Sequence, residues 1–151
     1  MILPDFKAFP RVGRIIGLDW GARRTGVAVS DASREFIFTR DAILTPRGDT
    51  SWAHQVADLV RDENVVGIII GRPVHADGKI SETFDEILRN ATQLAAYIDL
   101  PICFIDENLT SVAAQEQMGR VRRADIKQRL DSESARIILE NAIAMINRID
   151  D

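Results

Sequence analysis

Acidic residues stand at positions in this sequence where a carboxylate can do chemistry. Asp19 follows a run of apolar residues, as do the neighbours Asp106 and Glu107, and Asp131 precedes an apolar stripe of helical spacing. Sites in α/β sheets form at the carboxyl ends of parallel strands, so acids at such ends meet at one edge. Carboxylates converging on one point repel each other unless cations lie between them, and all-oxygen sites suit Mg²⁺ or Mn²⁺. Such ions activate water for phosphodiester hydrolysis, which is the chemistry that this pattern predicts.

Each of these acids also has a structural interpretation. Asp19 could accept backbone N–H bonds in its turn, and an Asp just before a helix, as we expect Asp131 to be, is a good N-cap. Strand alternation places Asp106 and Glu107 on opposite faces of the sheet, so only one of them can point into a given site. The residues themselves leave that choice open.

Basic residues that could hold a polyanion are concentrated near the predicted site. Helical periodicity disappears over residues 119–129, and basic side chains outnumber acids there, which predicts a charged loop that closes over substrate. The alternative is a solvated charged loop with no ligand. The candidate phosphate contacts are Arg23, Arg24, Arg72, Lys79, Arg120, Arg122, Arg123, Lys127 and Arg129.

Length and composition narrow the class of protein. A chain of 151 residues is long enough for one domain with its own core. The single cysteine, Cys103, cannot form an internal disulfide or a cysteine-rich zinc site, so we expect a reducing cytoplasm. No apolar run approaches the roughly 20 residues of a membrane span. The formal net charge of −4 means that any nucleic acid must be held by local basic patches.

Periodicity predicts an α/β fold. Residues 1–13, which contain Pro4 and Pro10, are expected to form an irregular arm ahead of a single domain over residues 14–149. The domain should hold a mixed five-stranded sheet, with its first three strands antiparallel and the later ones parallel, and helices on both faces. Strands are predicted at 15–18, 27–29, 35–44, 65–71 and 100–105, and helices at 50–63, 80–98, about 111–118 and 132–149.

Four motifs, in this order along the chain, closely resemble the bacterial YqgF/RuvX family. The resemblance runs from about Arg14 to Ile146 and departs from the usual family pattern at Arg72 and His75. The motifs are Gly17-Leu18-Asp19-Trp20-Gly21 with Gly26-Val27-Ala28-Val29-Ser30-Asp31, Ile70-Gly71-Arg72-Pro73 with Asp77-Gly78, Asp106-Glu107-Asn108-Leu109-Thr110-Ser111, and Leu130-Asp131-Ser132-Glu133-Ser134-Ala135.

The resemblance implies an RNase H-like fold and a nuclease that matures the 5′ end of pre-16S ribosomal RNA. It carries an acidic triad onto Asp19, Glu107 and Asp131 as catalytic residues and ligands of Mg²⁺ or Mn²⁺, and so selects Glu107 over Asp106. The expected partners are nucleic acid, with RNA favoured over branched DNA, and ribosomal precursor particles, but no membrane. We expect a monomer or a weak dimer.

Two other functions remain open at this point. The family was long described as Holliday-junction resolvases, and a resolvase must place two active sites symmetrically, which requires a dimer. The other alternative is an RNase H-like module that binds nucleic acid without cutting it. Such modules tend to lose the acids, whereas this chain keeps all three.

Overall fold

A computed structural model of the chain describes residues 1–21, 23–44, 51–73, 83–107 and 123–149, with backbone alone at residue 83 and at residues 123–131. The predicted helix at 111–118 lies outside these residues, as does His75. None of the helices in the described part of the chain has the length and hydropathy of a membrane span. The elements are β1 Ile2–Leu3, β2 Ile15–Asp19, β3 Arg24–Ser30, β4 Ile37–Leu44, α1 Ser51–Glu63, β5 Gly67–Arg72, α2 Thr83–Tyr97, β6 Ile102–Asp106 and α3 Arg123–Ile149.

The strands form one mixed sheet in the order β1-β6-β5-β2-β3-β4. Strands β2 and β3 form an antiparallel hairpin, and β4 adds to β3 in the antiparallel direction. Strand β5 pairs parallel with both β2 and β6, and β1 pairs parallel with β6. The predicted arrangement of three antiparallel strands followed by parallel ones is therefore confirmed. The sheet has six strands rather than five, because the N-terminal segment supplies β1.

Helices cover both faces of the sheet, as predicted. Side chains alternate along each strand, so every strand divides its residues between two cores. Ile16 and Leu18 of β2 belong to the core beneath α1 and α2, and Ile15 belongs to the core beneath α3. Gly17 also faces α3, where an added Cβ would lie 3.0 Å from the carbonyl oxygen of Ala135. The absence of a side chain at Gly17 thus allows α3 to pack closely on β2.

The N-terminal segment, predicted as an irregular arm, is part of the folded core. Ile2 and Leu3 pair with β6, and Pro4, which has no N–H to donate, follows the end of this short strand. Phe6 and Phe9 are buried beneath α3, and their rings meet edge to face at a centroid distance of 5.7 Å. The prediction failed because these aromatics have no strand or helix period in sequence. They are buried by tertiary contacts instead.

Helix α3 begins well before its predicted start at residue 132. It includes residues 123–129, which were expected to form part of a charged loop, and Asp131, which was expected to open the helix. Both expectations were wrong, and an N-cap role for Asp131 is excluded by its position inside the helix. The segment contains no glycine or proline and is rich in Arg, Lys, Gln, Ala and Leu, which have high helix propensity. The high helix propensity of these residues therefore extends α3 towards its N-terminus, beyond the apolar stripe from which its start was predicted.

Removing the Phe9 ring should destabilise the protein if the N-terminal segment is core. Phe9 is 2% exposed, and Phe-to-Ala changes at buried positions cost about 3–5 kcal/mol through lost burial and cavity formation. We expect Phe9→Ala to lower the free energy of unfolding by that amount in urea denaturation. Val12→Ala, in the same segment but 79% exposed, should change it by less than about 0.5 kcal/mol. An effect of Phe9→Ala as small as that of Val12→Ala would show that the segment does not contribute to the core.

Candidate active site at the carboxyl edge of the sheet

Asp19 and Glu107 meet at the carboxyl edge of the parallel strands. Register pairs Leu18 of β2 with Ile70 of β5, so the strands end at the same level. The chain continues past β6 along β5, where the Glu107 backbone N–H donates to the carbonyl of Arg72 at 2.9 Å. The side chains of Asp19 and Glu107 lie within hydrogen-bonding reach of each other. Two carboxyl groups this close repel each other when both are charged, so a proton or a cation between them favours the pair.

Gly71 provides space for the Glu107 carboxyl group. A Cβ at Gly71 would lie 2.5 Å from Cδ1 of Ile138 and 3.1 Å from Oε2 of Glu107. A side chain there would displace the Ile138 side chain of α3 and crowd the Glu107 carboxylate. The sequence analysis did not assign this role to Gly71. Its signal was a glycine at the end of an otherwise apolar strand, which marks a site of close approach.

The environment of Glu107 disfavours its charged form. Burial raises the pKa of Glu107 above its ordinary value, and the hydrogen bond with Asp19 offsets part of that rise. Carboxyl oxygens held this close suit a hard divalent cation, which would replace a proton between them. Among the described residues, no group of three potential ligands from His, Cys, Asp and Glu gathers at one point. The side chain of Asp131, the third predicted ligand, lies outside that part of the structure.

The geometry also distinguishes Glu107 from its neighbour Asp106. Asp106 accepts a hydrogen bond of 2.7 Å from Nε of Arg72, and the Arg72 guanidinium lies 5.5 Å from the centroid of the Phe84 ring. Phe84 belongs to α2, so this cluster lies on the opposite face from α3. The ion pair is partly exposed and contributes roughly 0–1 kcal/mol to stability. Glu107, not Asp106, is therefore the acid that the structure places beside Asp19.

The position of Asp131 in α3 is set by the helix. It lies four residues before Ala135, about one turn, and Ala135 packs on Gly17 of β2. Moving one turn towards the helix N-terminus from Ala135 therefore leads to Asp131. The helix brings this acid to the α3 face of the sheet, which is the face that carries Asp19 and Glu107.

The predicted phosphate contacts have different surroundings in the structure. Arg23 is exposed, Arg24 is a partly buried residue of β3, and Arg72 is engaged with Asp106. Three others belong to α3 rather than to a loop: Arg123, Lys127 and Arg129. Lys79, Arg120 and Arg122 lie outside the described residues.

Trp20, which follows Asp19 directly, is not a surface for base stacking. It is 8% exposed, and its ring packs against Trp52 at a centroid distance of 5.2 Å with an interplanar angle of 70°. The Trp52 indole N–H donates to Oγ1 of Thr25 at 3.0 Å. The aromatic pair therefore supports the end of β2 from the face opposite the carboxyl pair.

This mixed sheet, covered on both faces and carrying an acid pair at its carboxyl edge, defines an RNase H-like domain. The same fold occurs in Thermus thermophilus RuvC, solved in complex with a Holliday junction substrate. The two superpose with a TM-score of 0.57 at 9% identity, covering 89% of this chain and 96% of that one. At this identity the likeness concerns the fold alone.

The chain belongs to the RuvX family. The family model described as "RuvX: Holliday junction resolvase" matches residues 13–145. A protein of Maridesulfovibrio salexigens is 32% identical over 133 residues, covering 87% of this chain and 98% of its own. One of Chloroflexus aggregans is 35% identical over 129 residues, covering 84% and 90%. Both carry the name "Putative pre-16S rRNA nuclease". The family predicted from the four motifs is thus confirmed.

Glu107→Gln should stabilise the protein in metal-free buffer. The pKa of Glu107 is raised in the folded state, so the folded protein binds its proton more tightly than the unfolded chain does. Wild-type stability should therefore fall as the pH rises from the unfolded pKa of a glutamate to the raised folded value. Because the variant cannot titrate there, its advantage should grow across that window and then level off. We expect about 0.5–2 kcal/mol, the usual range of stabilising substitutions.

Thermal unfolding in the presence of chelator at several pH values measures this effect. Asp99→Asn is the matched control, because Asp99 is an exposed acid that precedes β6 at the other edge of the sheet. It should show no gain that grows with pH. A Glu107→Gln protein that is less stable than wild type at every pH would refute the account of Glu107 as a group held in a costly environment.

Proposed function

We propose that this protein is a nuclease that hydrolyses phosphodiester bonds with a divalent metal ion, Mg²⁺ or Mn²⁺. The observation that carries the proposal is the contact between the Asp19 and Glu107 carboxyl groups at the edge where the parallel strands end. Two acids in hydrogen-bonding contact oppose folding at neutral pH unless a cation or a proton lies between them. Such a pair of acids lowers the stability of the folded protein, which indicates that it is retained for a function.

Three side chains would hold the metal in this proposal. Asp19 ends β2 and Glu107 follows β6, the two strands that flank β5, and Asp131 would complete the set from α3. The metal, when bound, lowers the pKa of an attacking water and stabilises charge on the leaving oxygen. Glu107 would release its proton on loading, so metal affinity should increase with pH.

Ribosomal RNA precursor is the substrate that we favour. The family membership and the names of the two bacterial relatives support hydrolysis at the 5′ end of pre-16S rRNA. Basic residues would hold the phosphates, from Arg23 and Arg24 on the β2–β3 hairpin to Arg123, Lys127 and Arg129 on α3 and to Lys79, Arg120 and Arg122. We further propose that the protein acts in the cytoplasm on ribosomal precursor particles, as a monomer or weak dimer.

Cleavage of a four-way DNA junction is the second candidate function. The description of the family model, which names a Holliday junction resolvase, favours it. Resolution needs two symmetric cuts and therefore a dimer, so sedimentation velocity separates the two candidates. A stable dimer that cuts junctions and spares RNA would establish the resolvase reading in place of the RNA nuclease.

The decisive experiment compares cleavage of labelled pre-16S RNA 5′ leader, matched single-stranded DNA and a four-way junction, with Mg²⁺, Mn²⁺ or chelator. We expect wild type to cut the RNA only with metal. Asp19→Asn, Glu107→Gln and Asp131→Asn should each lower the rate by at least about 100-fold, because each removes a ligand charge. Asp99→Asn should cut like wild type.

The pattern of failure identifies what is wrong. RNA cutting that persists in Asp19→Asn would remove the carboxyl pair from the mechanism. Activity lost in the Asp19 and Glu107 variants but kept in Asp131→Asn would remove only the third ligand. Tight RNA binding with no cleavage under any metal would establish a non-catalytic binding module instead.

A further inference from the structure

A groove lies along the open edge of β6, where Asp106 is one of its lining residues. It has a volume of about 440 Å³ and is lined by Pro4, Phe6, Arg72, Phe104, Asn141 and Met145 among others. The groove exists because β1 is short. Among the described residues, none pairs with β6 beyond Cys103 on the side of β1. The volume falls in the range of small-ligand sites, roughly 300–1,000 Å³, and is too small for a duplex.

The Arg72 guanidinium is held in place by its own neighbours. Its Nε and Nη2 both donate to the same oxygen of Asp106, and the Phe84 ring lies beneath the guanidinium. Among the described residues Nη1 has no hydrogen-bond partner, and about a third of the side chain is exposed. A guanidinium fixed in this way loses little freedom when it binds a phosphate through its remaining N–H groups.

The charges of the groove suit one phosphate rather than a long polyanion. Its acids are Asp5 and Asp106, and its bases are Arg72 and Arg148, so the formal charges balance. Both acids already accept hydrogen bonds, Asp5 from the backbone N–H of Lys7 and Asp106 from Arg72. The apolar rings of the groove add surface that a ribose or base can cover.

The groove is next to the candidate active site along the chain. Asp106 lines it, the next residue is Glu107, and the Glu107 N–H is bonded to the Arg72 carbonyl. A phosphate bound by Arg72 would therefore lie beside Asp106, and the residue after Asp106 belongs to the carboxyl pair.

We propose that Arg72 and this groove form a subsite for a single unpaired nucleotide adjacent to the scissile phosphate. Arg72 binds the phosphate, Asp106 is a positioning residue that holds the guanidinium, and the groove takes the sugar and base. The proposal rests on the proposed nuclease function, because only a nuclease has a scissile phosphate. Binding of a nucleotide in the groove can nevertheless be measured without cleavage. The proposal also requires the nucleic acid to be single-stranded where it enters the groove.

The test is an NMR titration of the metal-free wild-type protein with the 5′-phosphorylated dinucleotide pApA, following arginine side-chain Nε–H resonances. We expect a saturable shift of the Arg72 resonance and none at Arg61, an exposed arginine paired with Asp58 on α1. The Arg72 resonance is assigned by its loss in Arg72→Leu. The affinity of wild type and of Arg72→Leu for a short RNA oligonucleotide is then measured at several salt concentrations. Loss of one phosphate contact should reduce the slope of log K against log salt by about 0.7.

Arg72→Leu should weaken oligonucleotide binding about tenfold and raise KM with little change in kcat, whereas Arg61→Leu should leave both unchanged. Asp106→Asn should give a smaller effect in the same direction. If Arg72→Leu fails to fold, Arg72→Gln replaces it, both in the binding measurements and in the assignment of the Arg72 resonance.

The outcomes separate this proposal from the nuclease function. RNA cleavage by wild type together with no shift at Arg72, or an unchanged salt slope in the variant, overturns the subsite and leaves the nuclease intact. A saturable Arg72 shift in a protein that cuts no substrate keeps the subsite and overturns the nuclease. A shift at Arg61 equal to that at Arg72 shows non-specific attraction and overturns the subsite.

Discussion

The contact between the Asp19 and Glu107 carboxyl groups is the constraint around which this fold is organised. Two acids stay this close only where the backbone gives them no alternative, and here parallel pairing of β5 with both neighbours fixes the ends of β2 and β6 at one level. Gly71 lies between them without a side chain, and Ile138 of α3 closes the space behind. The hydrophobic cores on both faces thus supply the free energy that holds an unfavourable electrostatic arrangement in place.

Strand alternation gives the two faces of this edge different chemistry. Asp19 and Glu107 lie on the α3 face, while Trp20, Arg72 and Asp106 lie on the face of α1 and α2. Consecutive residues therefore serve separate purposes: Glu107 is partly buried beside the Asp19 carboxyl group, while Asp106 is neutralised by an arginine. A shift of one residue in the register of β6 would exchange the two acids, so the β5–β6 pairing determines which of them can bind metal.

Much of this fold can be predicted from the sequence, because apolar runs and helical stripes report burial directly. The hairpin, the two buried parallel strands and α1 follow from that pattern. The face of the sheet on which each acid lies does not follow from that pattern. Asp106 and Glu107 differ only in register and in the partner Arg72, which is distant in sequence. The N-terminal segment was missed because Phe6 and Phe9 are buried without any period, and the start of α3 was missed because charged residues of high helix propensity conceal it.

The length of α3 affects the chemistry as well as the fold. A third acid at the N-cap of a helix would accept hydrogen bonds from the helix backbone, and it would move with the loop that precedes the helix. Asp131 instead stands within a continuous helix, one turn from the point where Ala135 packs on Gly17. Its backbone position is therefore fixed by the packing of α3 on the sheet at Gly17. A side chain at Gly17 would meet the α3 backbone at the Ala135 carbonyl oxygen, so substitutions that enlarge Gly17 should move α3, and Asp131 with it, relative to the sheet.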